Sequence, residues 1–336
     1  MKIRIITALL LCLTLLTGCG AQGSKPTPTA EPVTTTGVGF YFDTVVTITL
    51  HGAQEGLMDD IWALCARYEN LLSRTVEGSD VDRINRAGGK PVKVDPETWQ
   101  ILRRAKEIST LTDGAFSVTI APMSLQWDFT GGTNRMPTEA QRLAAIPLVD
   151  DQKLILGDDG TVTLPADMAI DLGGIAKGYI ADQAAALVKG RAIGATLNFG
   201  GNVYAVGRKL DGSDFGLGIQ KPGDITGKAL AAVRGTDVSM VTSGTYERYF
   251  MLDGVRYHHI LDPDTGLPVK TDLTSVTILS PSSMDADALA TACIVLGLEE
   301  GKGLLERQGL PGILITTDGQ VHLTEGFDQH YTFSLL

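Results

Sequence analysis

The segment Asp171-Leu-Gly-Gly-Ile-Ala-Lys-Gly178 carries the most informative local pattern of this chain. It follows a short strand-like run, turns on two glycines and enters an amphipathic helix. Glycine lets a backbone approach a ligand closely, and a helix start offers free N–H groups to a phosphate. Lys177 adds a positive charge. A Walker loop is excluded because the lysine precedes the glycine and no Ser or Thr follows. Taken alone, such a turn is more often a packing feature.

Outward from this segment, strands come in consecutive runs. Helices are predicted over Met58–Leu72, Pro96–Leu111 (with Asp95 as N-cap), Ala176–Lys189, Asp285–Leu296 and Gly301–Gln308. Strands are predicted over Phe40–Leu50, Thr161–Leu164, Met168–Asp171, Thr196–Phe199, Val203–Val206, Phe215–Ile219, Val238–Thr242, Arg256–Leu261, Ser275–Leu279 and Gly312–Thr316. This order favours an α+β fold over a regular alternating α/β array.

A second segment, Asp285-Ala-Asp287-Ala-Leu-Ala-Thr291, combines acidic and hydroxyl side chains. On a helix, Asp287 and Thr291 lie four residues apart and share one face. Carboxylate and hydroxyl oxygens are hard ligands that suit magnesium beside a substrate phosphate. Acidic residues also favour any helix start, so this segment alone does not establish a metal site.

A third segment, Arg256-Tyr-His258-His259-Ile-Leu-Asp262-Pro-Asp-Thr-Gly266, places two histidines before a strong turn sequence. Adjacent residues of a regular strand point to opposite faces, so the two imidazoles cannot enter the same pocket. A histidine near an acid suits a general base at neutral pH, although a lone histidine is usually structural. The turns Asn198-Phe-Gly-Gly201 and Thr242-Ser243-Gly244 lie at strand ends and leave room for a ligand.

The first residues predict the compartment. Lys2 and Arg4 precede an apolar run over residues 5–16. A permanent membrane-spanning helix needs about 20 residues, so this shorter run is typical of a secretory signal. The following Leu16-Thr17-Gly18-Cys19 resembles the lipobox of bacterial lipoproteins, in which the signal is cut before a cysteine that carries the lipid. The alternative is an ordinary signal peptide with a cysteine near its cut site.

These features predict a signal peptide over residues 1–18, a Pro-, Thr- and Gly-rich tether over 19–38 starting at lipidated Cys19, and a globular domain over 39–336. They place that domain on the extracytoplasmic face of a bacterial cell membrane, held by the lipid anchor alone. Acidic residues outnumber basic ones, 39 to 28, which argues against nucleic acid as the main partner. Cys65 and Cys293 are either a disulfide or two buried thiols.

The segments occur together in an order that resembles one family. The chain is similar to the FAD:protein FMN transferases of the ApbE family from about Phe40 to the C-terminus. This resemblance implies mixed, largely antiparallel sheets with packed helices and two intimately joined subdomains. The matching motifs are Ser73…Ser79-Asp-Val-Asp-Arg-Ile-Asn85, Asp171-Leu-Gly-Gly-Ile-Ala-Lys-Gly-Tyr-Ile-Ala-Asp182, Asn198-Phe-Gly-Gly201, Thr242-Ser-Gly-Thr-Tyr-Glu-Arg248, His259-Ile-Leu-Asp-Pro-Asp-Thr-Gly-Leu-Pro268 and Ala286-Asp-Ala-Leu-Ala-Thr291.

The same resemblance implies a magnesium-dependent enzyme that transfers FMN from FAD to a threonine hydroxyl of a target protein and releases AMP. By position, His259 is implied as the base that activates the hydroxyl. Asp287, Thr291 and the carbonyl of Ala176 are implied as metal ligands. The implied acceptor is a membrane redox subunit that faces outside. The implied FAD-binding residues are Thr44, Ser73, Asp171, Gly173, Gly174, Lys177, Asp182, Gly200, Gly201, Ser243 and Gly244.

The chain departs from the family pattern at two places, and two other functions are compatible with its motifs. Phe42-Asp43-Thr44 stands where relatives commonly have Met-Gly-Thr, and Arg74-Thr75 stands where some have a tyrosine. One other function is an FAD pyrophosphatase that uses water as the acceptor. The second is a non-enzymatic flavin-binding lipoprotein, which does not need Asp287, Thr291 and His259 together.

Overall fold

Strands and helices form separate runs along the chain. The computed structural model describes residues 32–129, 131–224 and 226–336; the predicted signal peptide, Cys19 and most of the tether lie outside the described residues. The strands are β1 (Thr34–Tyr41), β2 (Thr44–His51), β3 (Val92–Lys93), β4 (Ile155–Leu156), β5 (Thr161–Thr163), β6 (Gly194–Phe199), β7 (Asn202–Gly207), β8 (Phe215–Gln220), β9 (Ala229–Gly235), β10 (Val238–Gly244), β11 (Tyr249–Leu252), β12 (Val255–His258), β13 (Leu273–Ser280), β14 (Gly312–Thr316), β15 (Val321–Leu323) and β16 (Thr332–Leu335). The α-helices are α1 (Leu57–Leu72), α2 (Asp80–Arg86), α3 (Pro96–Leu111), α4 (Ala121–Ser124), α5 (Glu139–Ala145), α6 (Ala176–Val188), α7 (Ser283–Arg307) and α8 (Phe327–His330).

An antiparallel sheet of eight strands forms the scaffold, in the order β1-β2-β6-β7-β10-β13-β14-β15. Both faces of its central strands are buried. In β13, Ile278 joins the core that contains α6 and α7, whereas the adjacent Leu279 joins a second core that contains strands β8 and β9. Since successive side chains of a strand point to opposite faces, burial on both sides explains why these strands have nearly continuous apolar sequences.

Three smaller sheets complete the described structure, in the orders β16-β9-β8, β3-β5-β4 and β11-β12. All of their strand pairs are antiparallel. Residues Pro32–Leu336 form one compact unit. The predicted α+β fold, with antiparallel sheets and packed helices, is confirmed.

Helices α6 and α7 meet at Gly178. A Cβ atom at this position would lie 2.3 Å from Ser283 O and 2.7 Å from Met284 Cα, which are backbone atoms of the first turn of α7. Ser283 N and Met284 N donate to the Asp182 carboxylate of α6, at 2.7 and 3.0 Å. Glycine at position 178 therefore permits the close helix approach, and Asp182 caps the start of α7.

We expect Gly178→Ala to destabilise the protein strongly, because the added methyl group meets backbone atoms that cannot rotate away. Overpacking of this kind costs about 1–3 kcal/mol or more, and the free energy of unfolding in urea measures it. Gly303→Ala is the matched control, since Gly303 also lies within a helix but its Cβ would meet the flexible end of Arg307 at 3.2 Å. Equal stability of the two variants would contradict the close packing of α6 on α7.

Several predicted elements are confirmed with small shifts of their ends. The first two predicted helices correspond to α1 and α3, and Asp95 accepts a hydrogen bond from Glu97 N at 2.9 Å as the N-cap of α3. The helices predicted over 285–296 and 301–308 are one helix, α7, bent at Gly297 where φ is 80° and ψ is −177°. The left-handed φ of this glycine accounts for the bend.

Three predicted strands are wrong in extent or kind. The strand predicted over Phe40–Leu50 is two strands, β1 and β2, joined by Phe42 and Asp43 with φ values of 57° and 55°. Two-residue hairpin turns with positive φ favour Asn-Gly, so Phe-Asp gives no turn signal. The run Met168–Asp171 is irregular, because Ile170 N donates to the Asn85 side chain instead of to a neighbouring strand. The strand predicted over Arg256–Leu261 ends at His258.

Cys65 and Cys293 are both buried and free. The thiol alternative is therefore correct, and the disulfide alternative is wrong. Burial raises the pKa of each thiol to about 12, which keeps them protonated and unreactive at neutral pH.

Across the described residues, every helix is too short or too polar to pass through a bilayer.

Candidate active site

Asp287 lies at the meeting point of α6 and α7. Its carboxylate is only 4% exposed, and Oδ2 accepts a hydrogen bond from Gly178 N at 3.0 Å. Lys177 Nζ lies 3.7 Å from Oδ1 and donates to Gly173 O at 2.9 Å. A buried charge needs a charged or hydrogen-bonding partner, and here the helix start and the lysine supply both. The structure thus brings Gly173, Lys177 and Asp287 together.

Thr291 and Ser243 join the helix to the sheet beside this carboxylate. Thr291 Oγ1 lies 3.3 Å from Ser243 Oγ on β10 and donates to Asp287 O at 3.3 Å. A Cβ atom on Gly174 would lie 4.0 Å from Thr291 Oγ1, so the glycine turn borders the same hydroxyl. Two hydroxyls, one carboxylate and one ammonium group therefore face a single region.

The Gly173-Gly174 turn leaves backbone donors available at the start of α6. Gly173 N donates to Asp171 Oδ1 at 2.8 Å, and Asp171 Oδ2 accepts from Arg74 Nε at 2.8 Å. Helix α6 has no side-chain cap. Among the described residues, the N–H groups of Gly174 and Lys177 have no acceptor. Free N–H groups, a helix dipole and a lysine are suited to a phosphate.

Gly200 and Gly201 form the turn between β6 and β7, with φ values of 60° and 99°. Asn198 Oδ1 accepts from Gly201 N at 3.0 Å and fixes the turn. A Cβ atom on Gly200 would lie 2.3 Å from Thr44 Oγ1, so Thr44 packs directly against the glycine backbone. This contact links the β1–β2 turn to the predicted FAD-binding turn.

We expect Gly200→Ala to reduce FAD affinity and to destabilise the protein by about 1–3 kcal/mol, because it adds both backbone strain and a clash with Thr44. Gly212→Ala separates the two causes. Gly212 has a φ of 79°, but nothing lies within 4 Å of its Cβ position. Thermal unfolding and FAD titration of both variants measure the difference. If the two variants lose the same stability and the same FAD affinity, the contact between Thr44 and Gly200 contributes to neither property.

His259 is half-buried as a residue, and its ring atom Nδ1 is enclosed without a hydrogen-bond partner among the described residues. Burial lowers the pKa of His259 to about 3, and the positive charges of Arg248, His258 and Lys177 contribute to the same shift. His259 N donates to Arg248 O at 3.0 Å. The imidazole is therefore neutral at physiological pH, in the form that accepts a proton.

Arg248 is a residue of the site to which the motifs alone assign no role. Its Nη2 atom donates to Asp43 O at 3.2 Å, so it ties the β1–β2 turn to the segment that carries His259. Burial raises the pKa of the neighbouring Glu247, whereas Arg248 and Lys177 lower it. The matching motif Thr242–Arg248 contains both residues, but their contacts depend on tertiary structure.

Other predicted site residues lie at the edge of this group. Asp182 has both carboxylate oxygens bound by the start of α7, and burial raises its pKa to about 6. Ser73 ends α1 and bonds to Thr75 Oγ1 at 2.9 Å. Gly244 lies at the end of β10 against the Tyr246 ring. Their predicted contacts with FAD stay predictions.

The predicted magnesium ligands are hard oxygen atoms, the kind of ligand that this ion prefers. Asp287 and Thr291 lie one turn apart on α7, where the Thr291 hydroxyl donates to the main-chain carbonyl of Asp287, and the carbonyl of Ala176 belongs to the first residue of α6. No group of three or more His, Cys, Asp or Glu side chains in the described residues is arranged to hold a metal. A magnesium ion at this position would take further ligands from substrate phosphate and water, as it commonly does.

The site combines free backbone N–H donors, a carboxylate paired with a lysine, and a neutral histidine. These groups are of the class that suits a phosphate-containing substrate. The ApbE family model matches residues 42–314. The chain is 35% identical over 285 residues to a FAD:protein FMN transferase of Klebsiella pneumoniae, covering 83% of this chain and 88% of the relative. It is 36% identical over 287 residues to the protein of that name from Treponema pallidum, covering 80% and 79%.

Solved structures agree with this match. The crystal structure of the ApbE protein of Thermotoga maritima aligns with a TM-score of 0.81 at 30% identity, covering 88% of this chain and 99% of that one. The flavin transferase ApbE of Vibrio cholerae aligns with a TM-score of 0.80 at 27% identity, covering 89% and 99%. The chain belongs to the ApbE family. The predicted family and the assignment as a transferase enzyme are confirmed.

Proposed function

We propose that this protein transfers FMN from FAD to a threonine hydroxyl of a target protein, forms a phosphoester and releases AMP, with magnesium bound at Asp287 and Thr291. The observation that carries this proposal is the convergence of Asp287, Lys177 and the α6 start with a histidine held in its neutral form. The names of the curated relatives, FAD:protein FMN transferases, support the choice of donor and product.

The proposed reaction conserves every atom. The threonine oxygen forms a bond to the phosphorus of the FMN half, and the bond from that phosphorus to the bridging oxygen of the pyrophosphate breaks. AMP leaves with the bridging oxygen, and the hydroxyl proton passes to His259 before it is lost to solvent. The products are the FMN-modified threonine and AMP.

The chain's own groups act on this reaction in three ways. The α6 start and Lys177 bind and orient the pyrophosphate, and their positive potential offsets the charge that builds up on AMP. His259, whose imidazole is neutral at physiological pH, takes the proton of the incoming hydroxyl. Ser243 and Thr291 hold the sheet and α7 together beside the phosphates. When bound, magnesium neutralises phosphate charge.

The products released from FAD test this proposal. The protein is incubated with FAD and magnesium, with and without an acceptor domain that carries the family's threonine motif, and free nucleotides are separated by chromatography. We expect AMP only when the acceptor is present, little free FMN, and no AMP in the presence of EDTA. AMP and FMN in equal amounts regardless of acceptor would show a pyrophosphatase. Intact FAD in every reaction would show a carrier.

The proposed location is the outer face of the cell membrane, with a lipid on Cys19 as the anchor. The lipobox-like Leu16-Thr17-Gly18-Cys19 supports it. The acceptor is then a membrane redox subunit exposed on the same side. We expect Cys19→Ser to move the protein from the membrane fraction to the soluble extracytoplasmic fraction, measured by fractionation and immunoblotting. Unchanged membrane association would contradict the lipid anchor.

A further inference from the structure

A cleft of about 770 Å³ opens beside His258. The cleft is lined by Thr245, Arg256, His258, Lys270, Asp272 and Thr274, among others. A second cavity of about 350 Å³ has Arg256, Thr274 and Thr317 in its lining as well and adds Lys221. Because the two cavities share wall residues, they form one continuous groove, which we call the β12 groove. None of the residues assigned above to FAD or magnesium lines it.

The β12 groove carries unpaired positive charge. Arg256 and Lys270 are exposed and form no ion pair with a carboxylate of the described residues, whereas Lys221 has the Asp224 carboxylate as an electrostatic neighbour. The carboxylate Asp272 in the same lining already accepts a hydrogen bond from Leu298 N at 3.0 Å. The chain as a whole has a net charge of −11. Two exposed cations without an ion-pair partner on an acidic protein are suited to a negatively charged partner.

The hairpin β11–β12 adds an apolar surface to the groove. Tyr249 pairs with His258 and Met251 pairs with Arg256, so these four side chains share one face of the hairpin. Tyr249 is 40% and Met251 is 50% exposed, and the Arg256 guanidinium lies 4.6 Å from the centre of the Tyr249 ring. Exposed Tyr, Met and Arg are the residue types that protein interfaces favour.

The opposite face of the hairpin is anchored. Phe250 and Tyr257 stack on each other with ring centres 5.4 Å apart, and both rings lie near Trp127, at 6.4 and 6.0 Å. Trp127 Nε1 donates to Gly266 O at 3.2 Å and fixes this aromatic group to the turn after His259. The hairpin therefore presents its exposed face from a packed base.

The same hairpin leads directly to the proposed base of the reaction. It begins after Arg248 and ends at His258, and the backbone bond from His259 N to Arg248 O closes it. His259 directly follows the last residue of β12, so the hairpin that carries the exposed face also carries the histidine that takes the hydroxyl proton. A binding surface for the acceptor is required close to this histidine, because the acceptor supplies that hydroxyl.

We propose that the β12 groove binds the acceptor protein and recognises an extended acidic segment next to the threonine that receives FMN. This inference rests on the proposed FMN transfer. Arg256 and Lys270 attract the carboxylates, while Tyr249 and Met251 cover apolar parts of the same segment. FAD binds elsewhere, at the start of α6 and the Gly200-Gly201 turn.

Charge reversal in the groove tests the proposal. The probe is a fluorescent acceptor domain with the threonine motif in an acidic flanking sequence, and its binding is read by anisotropy, which requires no turnover. We expect Arg256→Glu with Lys270→Glu to weaken binding about tenfold or more at low salt and to raise KM for the acceptor equally. The kcat at saturating acceptor and the affinity for FAD stay unchanged. Lys90→Glu, an exposed lysine outside the groove, is the matched control.

A second probe, in which the flanking Asp and Glu residues are replaced by Lys, should regain affinity for the charge-reversed variant, and the gain should shrink as salt is added. Normal acceptor binding by the variant would overturn the inference. A loss of FAD affinity in the same variant would also overturn the inference, because it would show that FAD binds in the groove. If wild-type protein binds the acceptor without transferring FMN, the proposed function fails while the groove assignment stands.

Discussion

Asp287→Asn should reduce FMN transfer on the order of 10³-fold while the protein stays folded. Asparagine has nearly the same shape and retains an oxygen that accepts from Gly178 N, but it removes the buried negative charge. Lys177 then loses its partner at 3.7 Å, and a magnesium ion loses its one carboxylate ligand among the proposed residues. Single-turnover transfer at saturating FAD and acceptor measures the loss, and thermal unfolding verifies the fold.

Asp285→Asn is the matched control for this variant. Asp285 lies two residues earlier on the same helix, but its carboxylate accepts from Arg104 Nε at 2.8 Å and Nη2 at 3.0 Å, away from Lys177. We expect this variant to transfer FMN at close to the wild-type rate, with at most a modest loss of stability. If the Asp287→Asn variant transfers FMN as fast as the Asp285→Asn variant, Asp287 has no part in the reaction.

His259→Asn should reduce single-turnover transfer by about 10²–10⁴-fold, the usual contribution of a general base, with FAD affinity nearly unchanged. The neighbouring His258→Asn is the control, because His258 lines the β12 groove and not the FAD site. It should change acceptor KM more than the chemical step. A His259 variant with wild-type single-turnover rate would show that another group takes the proton.

The pH dependence of transfer follows from the same histidine. With a pKa of about 3, His259 stays neutral well below pH 6.5, so the rate of transfer should show no histidine titration near pH 6.5. Because the folded pKa lies below that of the unfolded chain, the unfolded state binds the extra proton first on acidification. The stability that His259 contributes is thus complete above pH 6.5 and is lost as the pH falls from 6.5 towards 3.

The sequence predicts the parts of the site that depend on local pattern. The Gly-Gly turn, the α6 start and the spacing of Asp287 and Thr291 are each contained in one short segment, and the structure brings them together. The central sheet strands are predictable because both of their faces are buried, so their apolar runs are strong. The resemblance to a family, which rests on the order of these segments along the chain, implies that they form one site.

Features that depend on contacts between distant segments are not predictable in this way. Phe42-Asp43 is a hairpin turn although neither residue is a glycine, since Glu69 accepts from Phe42 N at 2.9 Å and Arg248 donates to Asp43 O. Asp182 matches a family position, yet its carboxylate caps α7. Such roles follow from tertiary contacts and leave no local periodicity.

The intact mass of the acceptor domain tests the central claim most directly. Wild-type protein and the Asp287→Asn variant are each mixed with FAD, magnesium and the acceptor, and the acceptor is then measured by mass spectrometry with fragment mapping. We predict a gain of one FMN less one water, located on the motif threonine, with the wild type alone. An unmodified acceptor after complete consumption of FAD by the wild type would contradict FMN transfer.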